Sequence, residues 1–220
     1  MAADADPKLE AVLTASRDLG FLGPGKPWIH VEHALAFARA VPDAPTRVLD
    51  LGSGGGVPGL ILARLVWPGA TWCLLDGSVK RVAFLETAIA ELGLAERVVA
   101  QAGRAEEIGR GSERGRFDLV VARSFGPPAV VAECAAPFLV VGGRLVVSEP
   151  PDTDPTTRWP AAGLADFGLA LVDHPVGPPA FAVLTQAQPC PDRWPRRVGI
   201  PAKRPHFTGP STPQDRRGPS

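Results

Sequence analysis

The chain opens with two amphipathic stretches. Leu9, Val12, Leu13 and Ser16 share one helical face, and so do His30, His33, Ala34, Phe37 and Ala38. Between them, Gly23, Pro24, Gly25 and Pro27 force a loop over residues 20–27. From Thr46 the rhythm changes to short apolar runs that alternate with helical periodicity. Strands are predicted at 47–51, 71–75, 98–100, 117–122 and 144–148, with helices at 60–66, 79–92 and 128–136. Two later runs, 168–173 and 180–185, lie close enough together to form a hairpin at the sheet edge. Strands without polar alternation belong to a sheet covered on both faces. Strands separated by helices of about 10 to 15 residues predict right-handed crossovers between parallel strands. The expected class is α/β, Rossmann-like, with a mostly parallel sheet. Proline becomes dense after residue 150, and 208–220 has almost no apolar content and is expected to be disordered.

The sharpest local signal is Val48-Leu49-Asp50-Leu51 running into Gly52, Gly54, Gly55 and Gly56, with a helix expected to begin near Pro58. Four glycines in five positions exceed what a tight strand–helix turn requires. Glycine there lets the backbone turn sharply and lets a ligand approach closely. The run 54–59 also fits G-x-G-x-x-G, a pattern that is weak alone. Asp50 stands two residues before the first glycine, where a carboxylate would repel a pyrophosphate and suit a cation. S-adenosylmethionine carries an ammonium and a sulfonium and has no phosphate. Asp76, 20 residues after Gly56, ends the second strand, where an acid can accept hydrogen bonds from ribose hydroxyls. With two acids beside the loop and no nearby Lys or Arg for phosphates, Asp50, Gly52, Ser53, Gly54, Gly56, Asp76 and Gly77 are the expected cofactor residues. No Gly-Lys-Ser/Thr follows, which excludes a nucleotide P-loop. Gly103-Arg104-Ala105-Glu106-Glu107 follows the third strand, at the cleft edge where an adenine would sit, or else is a solvated helix start. Arg123 ends the fourth strand at the ligand-binding edge, and otherwise could cap a helix or pair with Glu106.

Composition changes this picture in two places. Hydrophobic residues are 45% and charged residues 21% of the 220, which suits a globular chain. No apolar run reaches the roughly 18 to 20 residues of a membrane span, and the polar start MAADADPKLE has no secretory pattern. Cys73, Cys134 and Cys190 are odd in number and widely spaced, so neither a disulfide framework nor a metal site is expected, and a reducing cytoplasm is. The formal net charge is zero, but it is unevenly divided. Residues 186–220 hold seven basic side chains (Arg193, Arg196, Arg197, Lys203, Arg204, Arg216, Arg217) and two acidic ones (Asp192, Asp215), a surplus of +5 against −5 for residues 1–185. That asymmetry points to a polyanionic partner. Trp194, Pro195, Gly199, Ile200 and Pro201 interleave with the cations, so 193–204 is expected to be ordered and to touch RNA, and Arg216 and Arg217 to be solvated.

Taken together, these motifs resemble the small-subunit ribosomal RNA guanine-N7 methyltransferases, also called the glucose-inhibited division protein B family. The resemblance spans roughly residues 28–206 and rests on DLGSGGGVPGL (50–60), DGSVKRVAFL (76–85), GRAEEI (103–108), FDLVVARSF (117–125) and WPRRVGIPAKRP (194–205). The family's His-x-x-Asp-Ser-Leu is replaced here by His30-Val31-Glu32-His33-Ala34-Leu35. The resemblance implies a class I methyltransferase fold whose seven-stranded sheet ends in an antiparallel strand. It implies S-adenosyl-L-methionine as cofactor and guanine N7 of 16S ribosomal RNA, free or in a small-subunit precursor, as acceptor. By position, Gly52 and Val57 would meet the cofactor, Ala105 and Glu106 the adenine, and Arg123 the edge shared by cofactor and substrate, as the catalytic residue. Lys80, Arg81, Arg193, Arg196, Arg197, Lys203 and Arg204 would touch RNA.

An N7 lone pair lies in the base plane and needs no deprotonation, so no general base is expected and His30, His33, His174 and His206 are read as packing or surface residues. Cys134 is read as core. The expected layout is a helical extension (1–45), a methyltransferase domain (46–187), a basic RNA-contacting segment (188–207) and a disordered tail (208–220), acting as a cytoplasmic monomer with no metal and no membrane contact. From the residues alone, a small-molecule methyltransferase and a non-catalytic RNA-binding protein on the same scaffold stay open.

Overall fold

The computed structural model describes residues 6–151, 154–173 and 179–208. His174, Asp215, Arg216, Arg217 and most of the predicted disordered tail lie outside those residues. Two helices come first, α1 (Pro7–Asp18) and α2 (Pro27–Arg39), followed by β1 (Arg47–Leu51), α3 (Gly59–Leu65), β2 (Thr71–Asp76) and α4 (Val79–Glu91). Next are β3 (Val98–Ala102), α5 (Ala105–Ile108), β4 (Phe117–Ala122), α6 (Pro128–Ala135) and β5 (Leu139–Glu149). Two short helices, α7 (Pro155–Arg158) and α8 (Ala161–Ala165), lead to β6 (Leu169–Asp173), β7 (Ala180–Gln186) and α9 (Ile200–Lys203).

The strands form one seven-stranded sheet in the order β3-β2-β1-β4-β5-β7-β6. β1 to β5 pair in parallel, and β7 runs antiparallel to both β5 and β6. The predicted hairpin is therefore present, with its second strand inserted beside β5. α3, α4 and α6 match the predicted helices in length to within a residue, but most crossovers fall short of about 10 to 15 helical residues. Only α4, at 13 residues, falls in the expected range, and the β3–β4 crossover holds just four helical residues. β5 is also longer than predicted. It begins at Leu139 rather than Arg144, and Gly142 and Gly143 lie within it, where Gly142 takes φ +85° and the pairing with β4 shifts register between Phe117 and Leu119.

The sheet is buried on both faces, as the unbroken apolar strands require. One face packs Val48, Leu119, Val121, Val146 and Val183 against Leu60, Ile61, Leu85 and Ile89. Leu9, Val12, Leu13, Ala34 and Phe37 of α1 and α2 belong to this same cluster. The N-terminal helices thus complete this core, where Phe37 of α2 packs edge-on against Phe181 of β7 at 4.6 Å, with about 2 kcal/mol from burying each large apolar side chain. The opposite face packs Leu49, Val120, Leu145 and Leu184 against Val131, Leu164, Phe167 and Trp194. β1 is followed by a crossover to β2 on one side, and β4 lies on its other side. The sheet order reverses between β1 and β4, and a crevice opens at the carboxyl ends of strands at such a point.

Candidate functional site

Register brings the predicted residues to one edge. Leu51 of β1 pairs with Leu75 on one side and Ala122 on the other. The chain therefore leaves the sheet with Gly52 between Asp76 and Arg123. Asp76 in turn pairs with Ala102, which places Gly77 beside Gly103 and Arg104. A Cβ on Gly77 would stand 3.5 Å from the Arg104 side chain.

The glycine loop is held open by contacts that only glycine allows. Gly52 has φ +74°, and a Cβ there would stand 2.5 Å from Phe125 Cδ2. Gly56 has φ +89°, and its Cβ would strike Leu60. Ser53 is buried and donates its hydroxyl to the Asp50 carbonyl at 3.0 Å, and Val57 is 6% exposed. Behind the loop, Ser16 of α1 donates to the Gly55 carbonyl at 3.0 Å, and Leu22 occupies the space a Gly55 side chain would need.

Asp50 sits among apolar neighbours on β1 and is 1% exposed. Its Oδ2 accepts the Gly59 amide at 2.9 Å, while Oδ1 is buried with no hydrogen-bond partner among the described residues. Burial pushes its carboxyl up to about 7; the nearby Asp76 adds to the rise, while the Gly59 amide, Ser53 and Arg123 oppose it. Asp76 is committed differently. Its Oδ2 accepts the Gly54 amide and its Oδ1 the Ser78 amide, both at 2.8 Å, so it ties the glycine loop to the start of α4. A carboxylate oxygen has a second lone pair, which leaves Asp76 able to take a further donor.

Arg123 follows β4 at a sharp turn in which Ser124 takes φ +55°. Its Nη2 lies 3.1 Å from His30 Nδ1, and its Nη1 is buried without a partner among the described residues. Burial lowers its pKa, and Asp50 offsets part of the fall. Its partner is thus neither Glu106 nor a helix end. His30 was expected to be packing or surface; it instead bridges α2 to this arginine. Burial and the Arg123 charge hold its pKa below the usual value, with a Gly23 backbone hydrogen bond acting the other way. His33 contacts Ser148 through Nε2 at 3.0 Å, and burial, with Arg123 and His30, lowers its pKa to about 4. The sequence signal for both was available: a polar ring on an otherwise apolar helix face.

Ala105 and Glu106 are both buried at the start of α5, which disfavours the alternative of a solvated helix start at these two residues. Glu106 Oε1 accepts the Gly199 amide at 3.0 Å and lies 3.5 Å from Arg104 Nη2. Glu106, expected beside the adenine, thus docks the C-terminal segment. A second buried acid, Glu133, is 0% exposed and is gripped by Arg196 through Nε at 2.9 Å and Nη2 at 2.6 Å, plus the Arg196 amide at 2.8 Å. Sequence reading missed Glu133, because its partner lies 63 residues away. Trp194 packs edge-on against Phe167 at 4.7 Å and donates Nε1–H to the Asp166 carbonyl at 2.8 Å. Residues 194–204 are thus ordered against α6 and the β6 edge. Arg193, Arg197, Lys203 and Arg204 stay exposed, while Arg196 spends its guanidinium on Glu133.

Lys80 and Arg81 are exposed at the start of α4. Arg81 Nη1 stands 3.9 Å from Asp76, and Arg104 flanks Gly77. The expectation that no cation neighbours the loop therefore fails: folding brings two guanidinium groups to its outer rim. The inner wall beside Gly52 keeps the buried Asp50, which still disfavours a pyrophosphate there. Cys73 and Cys134 are buried, Cys190 is half-buried, and all three are free. Among the described residues no helix is long and apolar enough to cross a membrane, and no group of three or more His, Cys, Asp or Glu is disposed to hold a metal.

Comparison with known proteins agrees with this architecture. The O-methyltransferase from Bacillus cereus, solved in complex with SAH, superposes with a TM-score of 0.60 at 16% identity, covering 84% of this chain and 93% of that one, which shows the shared fold. The ribosomal RNA small subunit methyltransferase G of Deinococcus radiodurans is 39% identical over 175 residues, 75% of this chain and 68% of its own length. The protein of that name from Chloroflexus aggregans is 35% identical over 186 residues, 80% of this chain and 76% of its own length. The family described as rRNA small subunit methyltransferase G matches residues 28–149, a stretch that contains the glycine loop, both strand-end acids and Arg123, and the chain belongs to that family.

Proposed function

We propose that this protein transfers the methyl group of S-adenosyl-L-methionine to N7 of a guanine in 16S ribosomal RNA, free or within a small-subunit precursor. The observation that carries this reading is Asp50: a buried carboxylate near the end of β1, behind the glycine loop, with one unpartnered oxygen among the described residues. An ammonium group satisfies that oxygen, and a pyrophosphate would be repelled by it. Asp50 and the loop residues Gly52, Ser53, Gly54, Gly56 and Val57 would hold the amino-acid end of the cofactor. Asp76 and Gly77 would hold the ribose, and Ala105 and Glu106 would flank the adenine. When bound, the cofactor supplies an electrophilic methyl group on its sulfonium.

The chain's own work is positioning. Guanine N7 is already nucleophilic, so no residue has to remove a proton. Arg123, held by His30, keeps a free Nη1 donor that suits guanine O6, which orients the base without covering N7. Reaching N7 inside a folded RNA calls for an unpaired or extruded base. Exposed Lys80, Arg81, Arg193, Arg197, Lys203 and Arg204 suit RNA phosphate, and Arg196 serves them indirectly by fixing the segment to Glu133. In this reading residues 46–187 form the methyltransferase unit, which residues 1–45 complete on one face and 188–207 on the other. It acts as a cytoplasmic monomer.

The test is direct. The purified chain, incubated with an unmodified 16S transcript or precursor subunits and methyl-labelled adenosylmethionine, should yield labelled 7-methylguanosine after nuclease digestion. Label in another nucleoside, or none with either substrate, would overturn the reading.

A further inference from the structure

The chain holds five tryptophans. Trp67, Trp72, Trp159 and Trp194 are at most 7% exposed, whereas Trp28 is 50% exposed and its neighbour Ile29 54%. One exposed apolar side chain is ordinary, but Trp28 has a particular setting. It lies in the first turn of α2, two residues before the His30 that holds Arg123. Lys26 Nζ stands 4.5 Å from its ring centroid. The loop leading to it packs on the site itself: Leu22 fills the space beside Gly55, and Phe21 meets Phe84 of α4 edge-on at 5.7 Å. Arg81 lies over Phe21 at 6.0 Å. Lys26, Lys80 and Arg81 are all exposed, with Lys26 at the Trp28 ring and Arg81 over Phe21 of the preceding loop, and Glu32 is the exposed acid on the same helix.

We propose that Trp28 is a stacking platform for an unpaired rRNA nucleobase next to the acceptor guanine, with Lys26, Lys80 and Arg81 on the flanking phosphates. The inference rests on the methyl-transfer reading above and adds to it the place where the substrate strand is gripped. Single-stranded RNA is recognised by bases stacked on aromatic rings within a cationic track, which is the combination present here. The charge selects the occupant, since an anionic backbone is matched by Lys26 at the ring and by Arg81 over Phe21 in the loop that leads to it. Stacking on α2 would also place the strand against the helix that holds Arg123.

Two readouts test it on the full chain with a 16S rRNA transcript. Trp28 is the one tryptophan open to solvent, so RNA should quench the long-wavelength tryptophan emission of the wild type and leave that of Trp28→Phe unchanged. Trp28→Ala should raise the transcript concentration at half-maximal methyl transfer about tenfold, as expected for loss of one stacked base. Trp28→Phe should recover most of that loss, and adenosylmethionine affinity should stay at the wild-type value in both variants. A wild type that methylates the transcript while Trp28→Ala keeps the same half-saturation overturns this inference alone. A wild type that transfers no methyl group overturns the proposed function and this inference with it.

Discussion

Cofactor binding should draw a proton off Asp50. The carboxyl is 1% exposed, and burial holds its pKa at about 7. It is therefore roughly one-tenth ionised at pH 6 and three-quarters ionised at pH 7.5. An ammonium group against Oδ1 requires the carboxylate, so adenosylmethionine affinity should rise about eightfold over that interval, or about 1.2 kcal/mol. Other groups facing the site do not mimic the effect. His33, with its pKa near 4, is neutral throughout, and Arg123 stays charged; His30, pushed toward its neutral form by burial and by Arg123, can only lose positive charge over this interval, and Asp50→Asn keeps that change while losing the one at Asp50. The ligand amine, with an ordinary pKa of about 7.7 to 8.0, stays mostly protonated up to about pH 7.5. Calorimetry at the two pH values, each in two buffers of different ionisation enthalpy, reads both affinity and proton release. Release should approach one proton at pH 6 and fall toward zero above pH 7.5. Asp50→Asn should bind weakly with no pH dependence. The same shift has a signature in the free protein. The folded carboxyl holds its proton to higher pH than the unfolded one, so its contribution to stability falls as pH rises from about 4 to about 7. Asp50→Asn should therefore gain more stability at pH 8 than at pH 5. A wild-type affinity that is flat from pH 6 to 7.5, with no proton release, would refute this reasoning.

Three other outcomes follow from the geometry. Arg196→Ala leaves the fully buried Glu133 carboxylate without its cation and should cost about 3–5 kcal/mol in urea unfolding; an effect under about 1 kcal/mol would mean that the clamp is not needed. Gly59→Ala would set a Cβ on Asp50 Oδ2 and Leu74 Cδ2, so it should lower stability by about 1–3 kcal/mol and weaken cofactor binding, seen by thermal unfolding with and without adenosylmethionine. His30→Ala frees Arg123 and should lower kcat on the order of tenfold while leaving adenosylmethionine affinity unchanged, as read from initial rates and calorimetry. Equal losses in kcat and cofactor affinity would assign His30 to the cofactor site instead.

Much of the framework was legible because it is local. A β-rich run into glycines, and acids at the ends of two strands, are short-range patterns with mechanical reasons, and register carries Asp50, Asp76 and Arg123 to one edge. What stayed hidden depends on distance in sequence. Arg123 meets His30 across 93 residues, and Arg196 meets Glu133 across 63, so periodicity could place each on its own element but could not pair them. The same blindness made the loop look free of cations, although Arg81 and Arg104 fold to its rim. The division of charge read from the sequence keeps its meaning at the C-terminus, with one change. Arg196 neutralises a buried acid inside the fold, and Arg193, Arg197, Lys203 and Arg204 remain at the surface. The predicted strand at 144–148 starts five residues earlier, at Leu139, because a register shift absorbs Gly142 and Gly143 within it.

The account stands or falls on the product formed in the cell. Nucleoside mass mapping of 16S ribosomal RNA should be compared between a strain lacking this protein, its parent, and the deletion strain carrying the Asp50→Asn variant. The account predicts one 7-methylguanosine present in the parent and absent from both of the others. A 7-methylguanosine profile identical in the three strains would contradict it.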